Sequence, residues 1–151
     1  MALGETFADV EGALKEFLRT DVDVLASPAE ARTYLALPDS PTFPCVTLIR
    51  IAGGEDASEA PVDVALVQID VWGRVKRLSE ANEVRTAVRK ALSKVRQRTP
   101  VAGKAVLWGA TVRDDRRFPV PQAQDSDGAI GERPRYILTV QVTATPAASG
   151  S

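Results

Sequence analysis

The sequence predicts an α+β fold: a mainly antiparallel sheet of about four to five strands with two helices packed on one face. Residues 62–72 (VDVALVQIDVW) alternate along most of their length between two sets of side chains, which is typical of a β-strand. Residues 78–97 place apolar side chains three and four positions apart, which indicates a helix with one buried side. Residues 135–144 (RYILTVQVTA) alternate again, so a second long strand is expected near the end of the chain.

The composition is that of one globular domain. The chain has 151 residues, of which 44% are hydrophobic and 26% charged, and we expect a single domain over residues 1–145 with a flexible tail at 146–151. The net charge of −1 gives no basic field for binding nucleic acid. The lone Cys45 cannot form an internal disulfide, and no run approaches the ~20 apolar residues that cross a bilayer. We therefore expect a protein of the cytoplasm, or of something assembled there.

The first third of the chain alternates helical and extended patterns. Residues 7–18 have apolar side chains at helical spacing, with Thr6 as the expected N-cap. The run SPAE, beginning at Ser27, indicates one helical turn, and residues 32–35 then have the composition of a short edge strand. Residues 45–51 and 62–72 are expected to form an antiparallel hairpin joined by an acidic loop.

The strand at 62–72 has two unlike faces. One face is wholly apolar and is expected in the core: Ala65, Val67, Ile69 and Val71. The opposite face mixes apolar and polar side chains: Val64, Leu66, Gln68, Asp70 and Trp72. A strand with one apolar and one mixed face usually presents the mixed face to solvent or to a partner.

The second half adds a helix and two strands. The helix at 78–97 is expected to begin at Ser79 as its cap, and strands are expected at 105–113 and 135–144. Strands adjacent in sequence should pair antiparallel, and both main helices should cover the same apolar face. The polar segment 114–134 is expected to lack regular structure, because Asp, Arg, Gly and Pro dominate it.

The residue types needed for catalysis are scarce. The chain has no histidine, which removes the commonest general base and zinc ligand. Cys45 follows a proline inside a strand with no base nearby, so it is interpreted as a core residue. The acidic loops lack the ligand spacing of a calcium loop. We therefore predict no catalytic residue, no cofactor site, no metal site and no enzymatic activity.

Three surfaces are candidate protein interfaces. The first is the mixed strand face with Gln68, Asp70 and Trp72, and the second is an acidic loop with Glu55, Asp56 and Glu59. In the third cluster, two acids among three arginines argue against a phosphate track, and a solvated strand end is the alternative interpretation. That cluster comprises Arg113, Asp114, Asp115, Arg116 and Arg117.

Several of these pieces together resemble a known family. The strand FPCVTL at 43–48, the strand VQIDVWG at 67–73, the helix beginning near Ser79 and the final strand opening RYIL at 135–138 occur in this order. The order resembles the tail terminator (tail-completion) proteins of long, non-contractile-tailed bacteriophages of the lambda type. None of the pieces is a catalytic motif.

The resemblance implies a structural role in the virion. Such proteins form a ring, usually a hexamer, at the head-proximal end of the tail tube, and the subunits are assembled in the host cytoplasm. The ring stops polymerisation of the tail tube protein and offers the surface that joins the head. The implied partners are further copies of the chain, the tail tube protein and a head-completion or connector protein, with no membrane and no specific nucleic acid.

Two alternatives remain at this point. Another head-tail connector or neck completion protein would have a similar size and α+β content. A small cytoplasmic enzyme or ligand-binding domain would need an apolar pocket with convergent polar groups, for which Asp70, Arg113 and Tyr136 are the first residues to test.

Overall fold

The computed structural model describes residues 8–53 and 62–147. Three helices lie in this part of the chain: α1 (Val10–Thr20), α2 (Val22–Ala26) and α3 (Leu78–Ser93). The strands are β1 (Thr33–Tyr34), β2 (Cys45–Gly53), β3 (Asp63–Trp72), β4 (Thr99–Val101), β5 (Ala105–Arg117), β6 (Val120–Gln124), β7 (Ile130–Arg133) and β8 (Arg135–Pro146).

The main sheet has six strands in the order β1-β2-β3-β8-β5-β4. The hairpin of β2 and β3, the pairing of β3 with β8 and the pairing of β8 with β5 are all antiparallel. Only β1 runs parallel to its neighbour β2. The α+β class is confirmed, but the main sheet is larger than predicted and mixed, and β6 and β7 form a second small sheet.

The core lies on one face of this sheet. The apolar face of β3 is fully buried, as predicted, and the register sets it beside buried residues of β8, such as Val140 opposite Val67. Helices α1 and α3 both pack on that face, which confirms their predicted position. The apolar side chains whose spacing predicted one buried side for the helix at 78–97 are all buried: Ala81, Val84, Val88, Ala91, Leu92 and Val95.

The start of α1 differs from the prediction. The helix begins at Val10, and Asp9 is its N-cap, accepting a hydrogen bond from the Gly12 N–H at 3.0 Å. The predicted cap Thr6 lies outside the described residues. A carboxylate immediately before the helix both caps it and complements its dipole. A Cβ on Gly12 would lie 2.2 Å from the Asp9 carboxylate, so glycine is what lets this cap form.

The single helical turn predicted at Ser27 is present as a hydrogen-bonded turn, with the Glu30 N–H donating to the Ser27 carbonyl at 3.0 Å, but it is not a helix. Helix α2 comes earlier and is capped by Asp21, which accepts from the N–H groups of Asp23 (2.9 Å) and Val24 (3.2 Å). Ser27 instead ends α2, its hydroxyl donating to the Val24 carbonyl at 2.6 Å. Two cap-type residues compete along this segment, and Asp21 satisfies two helix N–H groups at once. The predicted edge strand is confirmed as β1.

Helix α3 also departs from its expected bounds. It begins at Leu78 after Arg77, with no side-chain cap, and the predicted cap Ser79 lies inside the first turn. It ends at Ser93, where the Lys94 N–H donates to the carbonyls of Ala91 and Leu92 and closes the last turn.

The prediction that residues 114–134 lack structure is wrong. Strand β5 continues to Arg117 beside β8, and β6 and β7 follow as a hairpin. Arg133 fixes this hairpin to the body: its guanidinium stacks on Phe43 at 3.7 Å, donates to the Gly73 carbonyl at 2.9 Å and lies 2.8 Å from Asp125. Backbone pairing with a long partner strand here outweighs a polar composition. Strand β8 itself continues to Pro146.

Candidate assembly interface

The outer face of the main sheet is the face opposite the helices, and it carries Gln68, Asp70 and Trp72. The register places Ile49 and Thr47 of β2 beside Gln68 and Asp70, and Arg135 of β8 beside Trp72. The helices α1 and α3 pack on the other side. The predicted trio therefore does share one surface.

On this face a network joins the predicted trio to two residues that were not predicted. Asp70 is only 5% exposed and accepts from Arg135 through Nε at 2.9 Å and also through Nη2. Gln68 donates to the other Asp70 oxygen at 2.8 Å, and the Arg135 guanidinium stacks over Trp72 at 4.4 Å. The Trp72 indole N–H donates to Thr47 at 2.9 Å. These bonds hold an aromatic–arginine surface in one geometry.

The other end of the outer face is apolar. Ile49 of β2 and Val64 of β3 are 53% and 43% exposed, although both lie in the hairpin of the main sheet. Trp108 is 42% exposed, and its indole N–H donates to Thr145 at 2.9 Å on the same face. Aliphatic and tryptophan side chains gathered on an open sheet face are typical of an interface core.

The arginine–aspartate cluster does not form one patch. It lies within β5, where alternation sends successive side chains to opposite faces. Asp114 pairs with Arg116 at 2.7 Å and Arg113 donates to Gln141 of β8 at 2.9 Å, both on the outer face. Asp115 lies on the helix side.

Asp115 and Arg117 each join β5 to another element of the same chain. The Asp115 side chain is 8% exposed and accepts from Arg85 at 2.8 Å and Arg89 at 2.5 Å, both on α3. Arg117 pairs with Glu132 of β7 at 2.5 Å. The third predicted surface, with Glu55, Asp56 and Glu59, lies outside the described residues.

Asp115 should give the protein a measurable acid sensitivity. Burial alone would raise its pKa, but the hydrogen bonds from Arg85 and Arg89 outweigh burial and hold the pKa below its ordinary value of 3.8. A carboxyl with a lowered folded-state pKa stabilises the fold above its unfolded pKa and stops doing so as pH falls through the folded value. We expect Asp115→Asn to lower the free energy of unfolding at pH 7 by about 1 kcal/mol.

The same variant should differ less from wild type in acid. Urea unfolding at pH 7 and again below pH 3.8 measures both differences. A difference that stays constant between the two pH values would contradict this role for Asp115.

The residues that a small-molecule site would need are not brought together. Asp70 and Arg113 lie on the outer face, whereas Tyr136 lies under Arg85 of α3, 5.0 Å from its guanidinium. Burial raises the pKa of the Cys45 thiol to about 11, and Cys45 is fully buried, as predicted. Among residues 8–53 and 62–147, no group of three or more acidic, cysteine or histidine side chains could hold a metal ion.

An open groove of about 740 Å³ lies between the segment 40–43 and the β6–β7 hairpin. Its lining includes Phe43 and Arg74, and Arg74 is held by Glu80 at 2.8 Å. In the described part of the chain, no helix is long and apolar enough to cross a bilayer.

Arg135 and Thr47 were missed by sequence reasoning because the register between strands decides their neighbours. The only available signal was the position of Arg135 at the start of the final strand, which an antiparallel partner would set against the end of β3.

Comparison with known proteins gives a family match and matches to solved structures. The family described as "Tail completion protein gp17" matches residues 12–130. A chain of the structure titled "Virion of native gene transfer agent (GTA) particle" has a TM-score of 0.59 and 19% sequence identity, over 91% of this chain and 95% of that chain. At this identity the likeness shows a shared fold. The comparison with curated protein sequences gives no match.

The matched segment runs from α1 to the start of β7, and so includes the hairpin, α3 and β5. It covers well over half of the 151 residues. The resemblance to tail-completion proteins that the residues indicated is confirmed. The chain therefore belongs to the tail completion protein gp17 family.

Proposed function

We propose that the chain forms a ring at the head-proximal end of the tail tube, where it ends tube polymerisation and provides the surface that joins the head. Its partners are further copies of itself, with a hexamer as the expected ring. The tail tube protein and a head-completion or connector protein are the other partners. It performs this role through contacts and without catalysis.

Family membership supplies the coarse part of this function. A tail completion protein is a structural component of the virion tail that acts in assembly. The finer part is supported by one observation above others: the outer face of the main sheet stays open to solvent while carrying tryptophan, arginine and aliphatic side chains.

The chemistry of the outer face suits an assembly contact. Tryptophan and arginine are the side chains most often found at the energetic centre of interfaces, and Trp72 and Arg135 are already stacked before any partner arrives. Preorganisation lowers the entropy lost on association. The net charge of −1 adds little repulsion between copies.

Oligomeric state tests the ring directly. Light scattering coupled to size exclusion, followed by negative-stain microscopy, should show a closed ring either for the protein alone or after addition of tail tubes. A chain that stays monomeric in both conditions, with tube length left unregulated, would refute the proposal.

The two last arginines of the cluster provide a second test. Reversing the charge of Arg116 and Arg117 to glutamate should impair assembly by at least about tenfold, since like charges facing an interface weaken association strongly. Both side chains are exposed, at 64% and 47%, so the monomer should stay folded.

Circular dichroism and the ring assay measure folding and assembly separately for this variant. The matched control reverses two exposed arginines elsewhere, Arg19 and Arg98, and should assemble normally. Normal rings and tails from the Arg116/Arg117 variant would exclude that end of β5 from the interface.

A further inference from the structure

We propose that the open edge of β5, residues 108–117 on the side away from β8, binds an extended segment of another tail protein that carries acidic side chains. This edge is called the β5 edge below. The inference rests on the proposed function, because the tail particle supplies the partner, and it adds a second contact surface perpendicular to the outer face.

The opposite edge of the main sheet is partly covered. Strand β1 pairs with β2, and the Arg32 carbonyl accepts from the Val46 N–H at 2.9 Å. Further along β2, the Glu11 side chain of α1 reaches across and accepts from the Arg50 N–H at 3.0 Å. The outward backbone donors of Val46 and Arg50 are therefore occupied within the chain.

The β5 edge is open by comparison. Strand β4 pairs with β5 only at Ala105–Leu107. Over residues 108–117, β8 is the one backbone partner that the described part of the chain provides. At about 3.3 Å per residue this leaves roughly 30 Å of strand whose outward N–H and C=O groups are free.

The direction of individual N–H groups follows from one hydrogen bond. The Phe118 N–H donates to the Arg135 carbonyl at 2.7 Å, so the backbone N–H of Phe118 points toward β8. Because N–H groups alternate in direction along an antiparallel strand, those of Arg116 and Asp114 also point toward β8. The N–H groups of Asp115 and Arg117 then point away from β8, toward the open edge. On the other side of the bulge after Val112, the same alternation points the N–H of Thr111 toward β8 and the N–H of Ala110 toward the open edge.

The charges around the β5 edge favour a partner strand with acidic side chains. Its own aspartates are neutralised within the chain, Asp114 by Arg116 and Asp115 by two arginines of α3. The arginines near the edge outnumber the acids: Arg85, Arg89, Arg113, Arg116 and Arg117 against Asp114, Asp115 and Glu132. An incoming strand with acidic side chains would complement this excess, as opposite charges across a strand pair do.

A second copy of this chain fits the β5 edge poorly. Twofold antiparallel pairing centred on a residue within 113–117 sets a charged residue directly against its own copy, which is destabilising. Pairing centred on Val112 avoids that contact but brings the same arginine excess to the edge and no excess of acidic side chains to balance it. Head-to-tail pairing would need a second open edge, and β1 and Glu11 already occupy β2 at Val46 and Arg50. In the small sheet, Pro121 removes a donor from β6. The arginine excess at the edge therefore favours an acidic strand from a different tail protein over a second copy of this chain.

Amide hydrogen exchange in the unmodified protein tests whether the β5 edge is covered in tails. In the isolated chain, the outward amides of residues 110–117 should exchange quickly, and in assembled tails their exchange should slow by about tenfold or more. The β2 segment should change less. Slow exchange already in the isolated chain, or equal rates in chain and tail, would overturn the inference.

A proline variant tests the same edge by removing one donor. Ala110→Pro deletes an outward N–H at a position where an edge strand tolerates proline, whereas Ala110→Val keeps the donor and adds similar bulk. In assembled tails, we expect the amides of the β5 edge to lose their slowed exchange in Ala110→Pro and to keep it in Ala110→Val. If both variants retain it, backbone pairing at this edge is refuted.

Cross-linking from the new thiol of Thr111→Cys in assembled tails identifies the occupant. A cross-link to an acidic segment of another tail protein supports the inference, and a cross-link to a second copy of the chain, or none, contradicts it. Rings that form and end tubes normally while the β5 edge stays unprotected would refute this inference alone and leave the proposed function intact.

Discussion

Replacing Asp70 with alanine is expected to lower the free energy of unfolding by about 3 kcal/mol, which is a large share of the stability of a domain this size. Asp70 is 5% exposed and is the acceptor for both Arg135 and Gln68. Removing it leaves the Arg135 guanidinium against the sheet without its counter-charge. Urea unfolding of the purified variant measures the loss.

Asp114→Ala is the matched control for Asp70→Ala. It removes an aspartate from the same face, but its partner Arg116 is 64% exposed and the pair is solvated. Such a pair contributes about 0–1 kcal/mol. Equal effects of the two substitutions would mean that burial of the Asp70–Arg135 pair has no energetic consequence.

Placing aspartate at both Ile49 and Val64 should abolish assembly while leaving the monomer folded. Both side chains are about half exposed on the outer face, so their loss costs the monomer little. In an assembled interface they would bury two unpaired carboxylates, at several kcal/mol each. Every 1.4 kcal/mol is tenfold in affinity, so association should weaken by more than about a hundredfold.

Val22→Asp controls for the loss of an exposed valine in itself. Val22 lies on α2, away from the outer face, and is 70% exposed. It should leave assembly unchanged in light scattering and microscopy. Assembly by the Ile49/Val64 variant at wild-type concentrations would place the interface elsewhere on the subunit.

The parts of the fold that sequence predicted are those where burial imposes a period on the chain. The alternation from Ala65 to Val71 and the helical stripe from Ala81 to Val95 each record which side chains meet the core. That information is local, so one sequence suffices to find it. The hairpin of β2 and β3 was predictable for the same reason, because both strands are adjacent in sequence.

The parts that were missed depend on contacts between distant residues or on competition between similar local signals. Residues 114–117 are polar, yet they pair with β8 because that strand runs past them. At the starts of the helices, Asp9 and Asp21 cap α1 and α2, whereas the proposed cap Ser27 lies at the end of α2 and Ser79 lies inside α3. Their helix-starting signals differ by a few tenths of a kcal/mol, which the sequence alone does not rank.

The candidate interface shows the same division. The mixed face of β3 was predictable from alternation, but its partners Arg135 and Thr47 follow from strand register. The cluster from Arg113 to Arg117 was treated as one patch, and a bulge between Val112 and Asp114 sets which of its side chains face outward. Asp115 is consequently tied to α3.

Tail tube length is the most direct measurement of the proposed role. Tubes assembled in cells that lack this chain should vary in length and carry no heads, and supplying the chain should give tubes of uniform length with a ring at one end. Tubes of uniform, head-bearing length in the absence of the chain would contradict the account.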